Sequence, residues 1–400
     1  MNLIPVNLDS LPLGKPLPFT LRSAEGGLLA PRGYVIRNRT EVETLIARGV
    51  QLCMDTTESA DSHRSYVAQL GQMLRDDQPL GQIATMKIDI DAPVRADALA
   101  DGPPDWHELE HFTSQLLRHP QAADFHGQLR ALASTLQRHA TRTPDATLLA
   151  LVWLSGQGAQ RYSALHALLV ASMCMLTAHE TLHWPEEEVH TLGCAALTMN
   201  LAMAALQDEL ARQPGAPDAT QIDAIHDHAR QSEALLRHLG VTDAAWLQAV
   251  AMHHQHASGP LAAQEPARQM ARLLQRADVY AARLAPRATR PAMSVTAAVK
   301  ASYYDDQGQV DEAGAALVRT LGMYPPGSLV RLASREIAIV LRRGSTATTP
   351  RVAVLIGRSG MPTGEPIPRD TRLGEHKVAA PLALHEVRLQ VSLQRLAKLP

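Results

Sequence analysis

A run of helical periodicity from residue 106 to 320 constrains the fold more than any other feature of this sequence. Apolar residues recur there every three to four positions, and Gly or Pro falls where helices begin or end. The segment 184–213 predicts one long helix, because Pro185 donates no N–H at its start and three glutamates follow. Further along, Thr242 is predicted to cap a helix that ends at Gly259.

The flanking segments have a different pattern. Short apolar runs at 28–36, 50–55 and 83–90 predict strands, with a helix over 40–49 between them. Strand-like runs return after residue 324, at 329–334, 336–343 and 351–357. The prediction is a multidomain chain with a small α+β N-terminal domain over 1–95, a linker over 96–105, an all-α central domain over 106–323 and a β-rich C-terminal segment over 324–400.

Composition limits the functional classes. The net charge of −2 gives no basic field of the kind that nucleic-acid binding needs, so no nucleic-acid partner is expected. The cysteines, Cys53, Cys174 and Cys194, are scattered and predict buried free thiols. The first twenty residues lack a basic and then apolar leader, and no membrane span is recognised, so a cytoplasmic location is expected.

Eighteen histidines are the unusual feature of the composition. Four of them and one aspartate fall on successive predicted helices: His166, His228, His253, His254 and Asp278. Imidazole nitrogens and carboxylate oxygens on neighbouring helices can converge inside a bundle, as metal centres of helical proteins require. These residues are therefore candidate metal ligands.

Six segments surround these residues, in the order RYSALHALLVASMCM, GCAALTMNLAM, IHDHARQSEALL, AVAMHH, LLQRADVYAARLAPRATR and MYPPGSLVRL. Their order is similar to that of the HD-GYP domain, and the resemblance covers roughly residues 150–332. The segments LDSLPLGKPLPF and GGLLAPRGYVIRNRTEVETLIARGVQLCMD look like the small domain that often precedes HD-GYP domains. The resemblance implies an all-α HD-type central domain and a metal-dependent phosphodiesterase that hydrolyses cyclic di-GMP.

The resemblance assigns roles residue by residue. It implies that the five candidate residues above are metal ligands, and that Arg287 and Arg290 look like the arginines near the substrate phosphates. The His-Asp dipeptide of the family is replaced by Met199 and Asn200, and the nearby lysine by Met203.

Two further positions depart from the family pattern. Tyr162 stands where some members have an acidic ligand. The Gly-Tyr-Pro loop is shortened, with Ser258, Gly259 and Pro260 resembling its end.

The lost pair sets the functional prediction. Two divalent ions a few ångströms apart repel strongly unless an anionic ligand lies between them, and neither Met199 nor Asn200 supplies one. The sequence therefore predicts a degenerate HD-GYP-type protein of cyclic di-GMP signalling, inactive or weakly active, that binds the nucleotide or a signalling protein. The alternative is an active phosphodiesterase with a rearranged metal site. The remaining ligands predict one divalent ion, iron or manganese, or none.

Two other histidine patterns in the sequence resemble metal-binding motifs. His226-Asp227 looks like the missing dipeptide but lies one helix too late, and it predicts a solvated helix surface. His179 and His183 fall in H-E-T-L-H, which matches the zinc-protease pattern H-E-x-x-H. Because Trp184-Pro185 follows at once, the helix is expected to end there, and a metalloprotease is not favoured.

Overall fold

A computed structural model of the protein describes most of the chain after residue 103 and short pieces before residue 56. The described residues are 3–6, 11, 17, 19–25, 27–30, 34–36, 51–55, 104–121, 124–158, 161–256, 259–305, 307–387 and 391–399. The predicted helix over 40–49, the predicted strand over 83–90, most of the predicted linker and Ser258 lie outside them. The chain divides into two compact units, 1–95 and 96–400.

The described part of the N-terminal unit is an antiparallel sheet. Its strands are β1 (Leu3–Pro5), β2 (Leu21–Ser23), β3 (Leu28–Ala30) and β4 (Leu52–Asp55), in the order β1-β4-β2-β3. Phe19, Leu21 and Met54 are among the buried residues that form its core. Strands β3 and β4 lie within runs that predict strands, whereas β1 and β2 are too short to show a clear alternation.

The second unit begins with helices, as the periodicity predicts. They are α1 (Trp106–Arg118), α2 (Phe125–Arg142), α3 (Pro144–Ser155), α4 (Tyr162–Glu180), α5 (Glu186–Thr198), α6 (Ala204–Arg212), α7 (Ala219–His238), α8 (Ala244–Met252), α9 (Pro266–Leu284), α10 (Val295–Tyr303) and α11 (Glu312–Leu321).

Two predicted helix boundaries are wrong. The N-cap of α8 is Asp243 and not Thr242, because the Asp243 carboxylate accepts a hydrogen bond from the Trp246 N–H at 3.0 Å. The same helix ends at Met252, well before Gly259. The two following histidines therefore lie in a turn, where they are free of the helical spacing.

The long helix predicted over 184–213 is also wrong, because it is interrupted. Helix α5 ends at Thr198, a 3₁₀ turn covers Leu201–Met203, and α6 starts at Ala204. The Thr198 hydroxyl donates back to the Cys194 carbonyl at 2.7 Å and accepts from the Trp246 indole N–H at 2.9 Å. Such back-bonding bends helices, and the break falls where the resemblance expects the His-Asp dipeptide.

The C-terminal segment forms an antiparallel sheet in the same unit as the helices. Its strands are β5 (Leu329–Leu332), β6 (Ile337–Arg342), β7 (Arg351–Ile356), β8 (Pro362–Asp370) and β9 (Val378–Leu382), in the order β8-β7-β6-β5-β9, and the short helix α12 (Leu393–Ala397) follows. Leu149 and Trp153 of α3 pack in one buried cluster with Leu329 and Ile339 of the sheet. The sheet therefore completes the core beside α3.

Among the residues that the structure describes, two helical segments are long and apolar enough to cross a membrane by length and composition alone, Tyr162–Glu180 and Glu186–Arg212. The apolar window of the first is 94% buried inside the protein. A buried core helix passes the same test, so this finding is weak evidence for a membrane span. The second segment includes the break between α5 and α6.

Candidate metal centre

Three histidines converge where α7 meets the turn after α8. His228 lies on α7, and His253 and His254 follow directly after α8. One ring nitrogen from each lies within 4.8 Å of the others, and among the described residues no other three His, Cys, Asp or Glu side chains are grouped so closely. We call these three residues the histidine trio.

The orientation of two of these rings follows from their own helices. The Nδ1 of His228 lies 2.6 Å from the Ile225 carbonyl oxygen, and the Nδ1 of His253 lies 2.7 Å from that of Val250. A carbonyl oxygen can only accept, so each Nδ1 carries the hydrogen and donates. In the neutral rings each Nε2 therefore carries a lone pair and no hydrogen. The two Nε2 atoms lie 3.2 Å apart.

Burial keeps these rings neutral. Burial is the largest of the causes that lower the pKa of His253 to about 3, and the neighbouring His254 is the next. Burial also lowers the pKa of His228. His253 is completely buried, while His254 is exposed. His228 and His253 therefore offer neutral imidazole nitrogens, and the trio is open to solvent at His254.

His166 and Asp278 are not part of this group. The Nε2 of His166, on α4, lies 2.7 Å from Oδ1 of Asp278, on α9. Burial alone would raise the pKa of Asp278, but the His166 hydrogen bond and the charges of His166, His253 and His254 outweigh it and hold that pKa below its ordinary value. The five sequence candidates thus form a trio and a separate pair. The two groups interact electrostatically through Asp278. Their role as metal ligands stays a prediction.

The residues that stand where the resemblance expects the His-Asp dipeptide do not fit a two-ion centre. Met199 is buried and offers only a thioether. Asn200 has a buried Oδ1 with no hydrogen-bond partner among the described residues, but a neutral amide cannot offset the repulsion of two divalent ions. In addition, the carboxylate of Asp278 is already bonded to His166. The trio can hold one ion, and the two-ion arrangement implied by the resemblance lacks its bridge.

The arginines predicted to meet phosphates lie next to the His166–Asp278 pair. A guanidinium N–H of Arg287 donates to the Tyr162 hydroxyl at 2.9 Å, and the guanidinium lies 5.0 Å from the centre of that ring. Tyr162 in turn stacks on His166, with ring centres 5.5 Å apart. Arg290 donates to the Ala282 carbonyl, and neither arginine is paired with a carboxylate in the described part of the chain. Two cations held side by side can bind an anion.

Sequence reasoning missed the surroundings of His166. A small cavity is lined by Tyr162, Leu165, His166 and also by Ser155, which the sequence did not single out. The hydroxyl of Ser155 and the Nδ1 of His166 are both buried without a hydrogen-bond partner among the described residues. The charge of Asp278 also adds to the burial that raises the pKa of Cys174. A lone Ser or Cys in an apolar helix carries no sequence signal of such a position.

The other histidine patterns do not form sites. His226 and Asp227 are exposed, and Asp227 pairs with Arg230 at 3.2 Å, so this dipeptide is a solvated surface as expected. Helix α4 ends at Glu180, and His183 lies beyond it with a φ of 54°. His179 and His183 therefore do not share a helix face, and H-E-T-L-H lacks the geometry of a zinc helix. The three cysteines are buried and free.

Three comparisons with known proteins were informative to different degrees. No family model matches the chain. A cyclic di-GMP phosphodiesterase from Pseudomonas aeruginosa is 27% identical over 251 residues, which cover 61% of this chain and 59% of that protein. An HDG"Y"P protein from Bdellovibrio bacteriovorus aligns with a TM-score of 0.43 and 13% identity over 79% of this chain and 98% of the other. The resemblance to HD-GYP proteins is confirmed by the curated relative, of which the chain spans about three fifths.

Proposed function

We propose, from this resemblance, that the protein is a degenerate HD-GYP-type component of cyclic di-GMP signalling that binds the nucleotide or a signalling protein and hydrolyses little or none. The proposal rests on the residues that occupy the expected metal centre. Met199 and Asn200 replace the bridging pair, and His166 and Asp278 are bonded to each other.

The chemical reason is charge. In two-metal hydrolysis one ion activates the attacking oxygen and the other stabilises the leaving oxygen. A single ion at the histidine trio could polarise a phosphate but could not stabilise both oxygens, so turnover should fall by orders of magnitude. Binding does not need the second ion. Arg287 and Arg290, which have no carboxylate partner in the described part of the chain, supply positive charge for a phosphodiester.

The first test is hydrolysis of cyclic di-GMP by the purified chain with added Fe²⁺, Mn²⁺ or Zn²⁺. We expect no turnover above the background of the buffer. A rate of about one per second, ordinary for an enzyme, would overturn the proposal.

The second test is nucleotide binding by equilibrium dialysis with labelled cyclic di-GMP. Replacing Arg287 and Arg290 by alanine should lower affinity by about tenfold or more, since each charged hydrogen bond contributes about 1.5–3 kcal/mol. Arg230→Ala, on the exposed face of α7, is the matched control and should bind as the unchanged protein does. Binding that is equal in all three would exclude the arginines as the phosphate contact. If the unchanged chain binds no cyclic di-GMP, the nucleotide is excluded as the ligand and a signalling protein remains as the proposed partner.

The alternative is an active phosphodiesterase with one ion. The histidine trio favours it, because three imidazoles around an open position also occur in catalytic zinc sites. The two functions separate on one variant: hydrolysis that is measurable in the unchanged chain and absent in His254→Ala would establish the alternative. His254 is exposed, so its removal should leave the fold intact.

A further inference from the structure

The contact between His228 and His253 contains a lone-pair conflict. Both Nδ1 atoms donate to carbonyls of their own helices, so neither Nε2 carries a hydrogen while the rings are neutral. The two Nε2 atoms are nevertheless 3.2 Å apart in a site where both residues are buried. Two acceptors at this distance repel unless a positive group lies between or beside them.

The third histidine cannot remove the conflict by itself. The Nε2 of His254 lies 3.2 Å from that of His228, so a hydrogen on the Nε2 of His254 can be donated to the Nε2 of His228. No ring hydrogen then remains for the contact between His228 and His253. A metal ion, in contrast, accepts all three lone pairs at once. Nitrogens about 2.0–2.1 Å from a tetrahedral ion lie roughly 3.3 Å apart, close to the separations of both contacts.

The chemistry of the donors selects the ion. The trio supplies three imidazoles and no anionic oxygen, and the nearby carboxylate of Asp278 is bonded to His166. Manganese and magnesium prefer carboxylate and water ligands, whereas imidazole suits zinc, and intrinsic affinity rises from manganese through iron to zinc. This donor set therefore disagrees with the iron or manganese pair that the family resemblance implies.

We infer that His228, His253 and His254 form a site for a single divalent ion of the zinc class, with a coordination position open to solvent beside His254. The open position follows from exposure, since His228 and His253 are buried and His254 is not. An exchangeable water or small anion would occupy it. The inference stands on the trio alone and does not depend on a role in cyclic di-GMP signalling.

The test uses the full chain, freed of metal with a chelator and then titrated without nucleotide. Zn²⁺ is measured by competition with a chromophoric chelator, Mn²⁺ by the resonance signal of the free ion, and Co²⁺ by the visible absorption of tetrahedral cobalt. We expect one Zn²⁺ per chain, bound on the order of 100-fold more tightly than Mn²⁺. We also expect a tetrahedral cobalt spectrum that changes when a small anion such as azide is added.

Matched variants assign the ligands. His254→Ala, at an exposed position, and His228→Gln should each weaken Zn²⁺ by about 100-fold. His226→Ala, on the same helix α7 and also exposed, should leave affinity unchanged. Circular dichroism and the unfolding temperature of each variant separate loss of a ligand from loss of the fold. Two ions per chain, equal affinity for Mn²⁺ and Zn²⁺, or unchanged binding in folded His254→Ala would each overturn the inference.

Discussion

At the scale of residues, Met199 and Asn200 stand where the resemblance expects a His-Asp pair, and neither supplies the negative charge expected between two metal positions. Two divalent ions about 4 Å apart repel by on the order of 17 kcal/mol at an effective dielectric constant of about 20. A neutral amide and a thioether do not offset that energy. His166 and Asp278 bond each other instead, with Nε2 of His166 2.7 Å from Oδ1 of Asp278.

Restoring the pair tests this account. We expect the double variant Met199→His, Asn200→Asp to raise the manganese content from at most one ion per chain towards two and to increase hydrolysis of cyclic di-GMP. The reason is that the new carboxylate can bridge the ions and compete for the partners of Asp278. Elemental analysis after equilibrium dialysis measures the ion count. Met199→His alone adds a ligand but no bridge and should stay at one ion or fewer. A folded double variant that gains no ion would contradict the charge argument.

The site was only partly predictable at this scale. The order of helices in the sequence singled out His228, His253, His254, His166 and Asp278, and the structure places them near one another. Their division into a trio and a pair depends on side-chain rotation, because the Ile225 and Val250 carbonyls orient two of the rings. Such contacts leave no trace in the sequence, so the separate geometry of the pair could not be anticipated.

At the scale of elements, periodicity predicted most of the described helices and the five strands β3 to β7, and it failed where tertiary contacts decide. The break after Thr198 depends on the Trp246 indole, which is distant in sequence. No individual strand is predicted over β8, whose sequence PTGEPIPRD has three prolines, but it is an edge strand, where proline is tolerated. Both errors arise because local propensity is weak against packing.

Gly327 should be among the least replaceable residues between α11 and the sheet. Its φ is +90°, and an added Cβ would lie 2.7 Å from the backbone oxygen of Leu149 on α3. Gly360 has a similar φ of +81° with open space around it. We expect Gly360→Ala to cost about 1–2 kcal/mol from backbone strain alone, and Gly327→Ala to cost at least about 1 kcal/mol more from the clash. Urea unfolding of the two variants measures the difference. Equal decreases in the free energy of unfolding would show that α3 shifts to accommodate the added methyl group.

Glu336, at the start of β6, should make stability depend on pH. Burial raises its pKa, but hydrogen bonds from the Ser334 hydroxyl and from Arg369 outweigh it and lower the pKa overall. A carboxyl whose pKa is lower in the folded chain stabilises it above the ordinary carboxyl pKa, and this stabilisation disappears as the pH falls through the folded value. The free energy of unfolding of the unchanged protein should therefore exceed that of Glu336→Gln by about 1 kcal/mol at pH 7, and the two values should be equal near pH 2.

Urea unfolding at pH 7, 5 and 3 follows this difference. Glu375→Gln is the control, because Glu375 is exposed and its contacts, to exposed Arg358 at 3.4 Å and to the neighbouring His376 at 3.8 Å, are those of a surface charge, so its loss should have little effect at any of these values. A difference between the unchanged protein and Glu336→Gln that does not shrink with falling pH would assign the effect to packing and not to charge.

At the scale of the whole molecule, the helices and the C-terminal sheet belong to one compact unit, 96–400. Arg343 links them: it bonds Asp145 at 2.6 Å, Glu180 at 2.5 Å and the Thr320 carbonyl at 3.0 Å. The histidine trio lies on the helical side of that unit. The sheet can therefore influence the trio through the stability of the helices on which it packs.

Deleting residues 324–400 should destabilise the helices as well as remove the sheet. The deletion exposes Leu149 and Trp153, whose burial contributes about 1.5–3 kcal/mol for each large side chain, and it leaves Asp145 and Glu180 without Arg343. We expect the shortened chain to aggregate on size exclusion and to lose its cooperative thermal transition. The control is deletion of residues 1–95, which should leave one cooperative transition and unchanged Zn²⁺ binding, because the second unit has its own core. If the chain ending at Met323 is monomeric and unfolds at the original temperature, the sheet is an accessory layer and the helices support the metal centre alone.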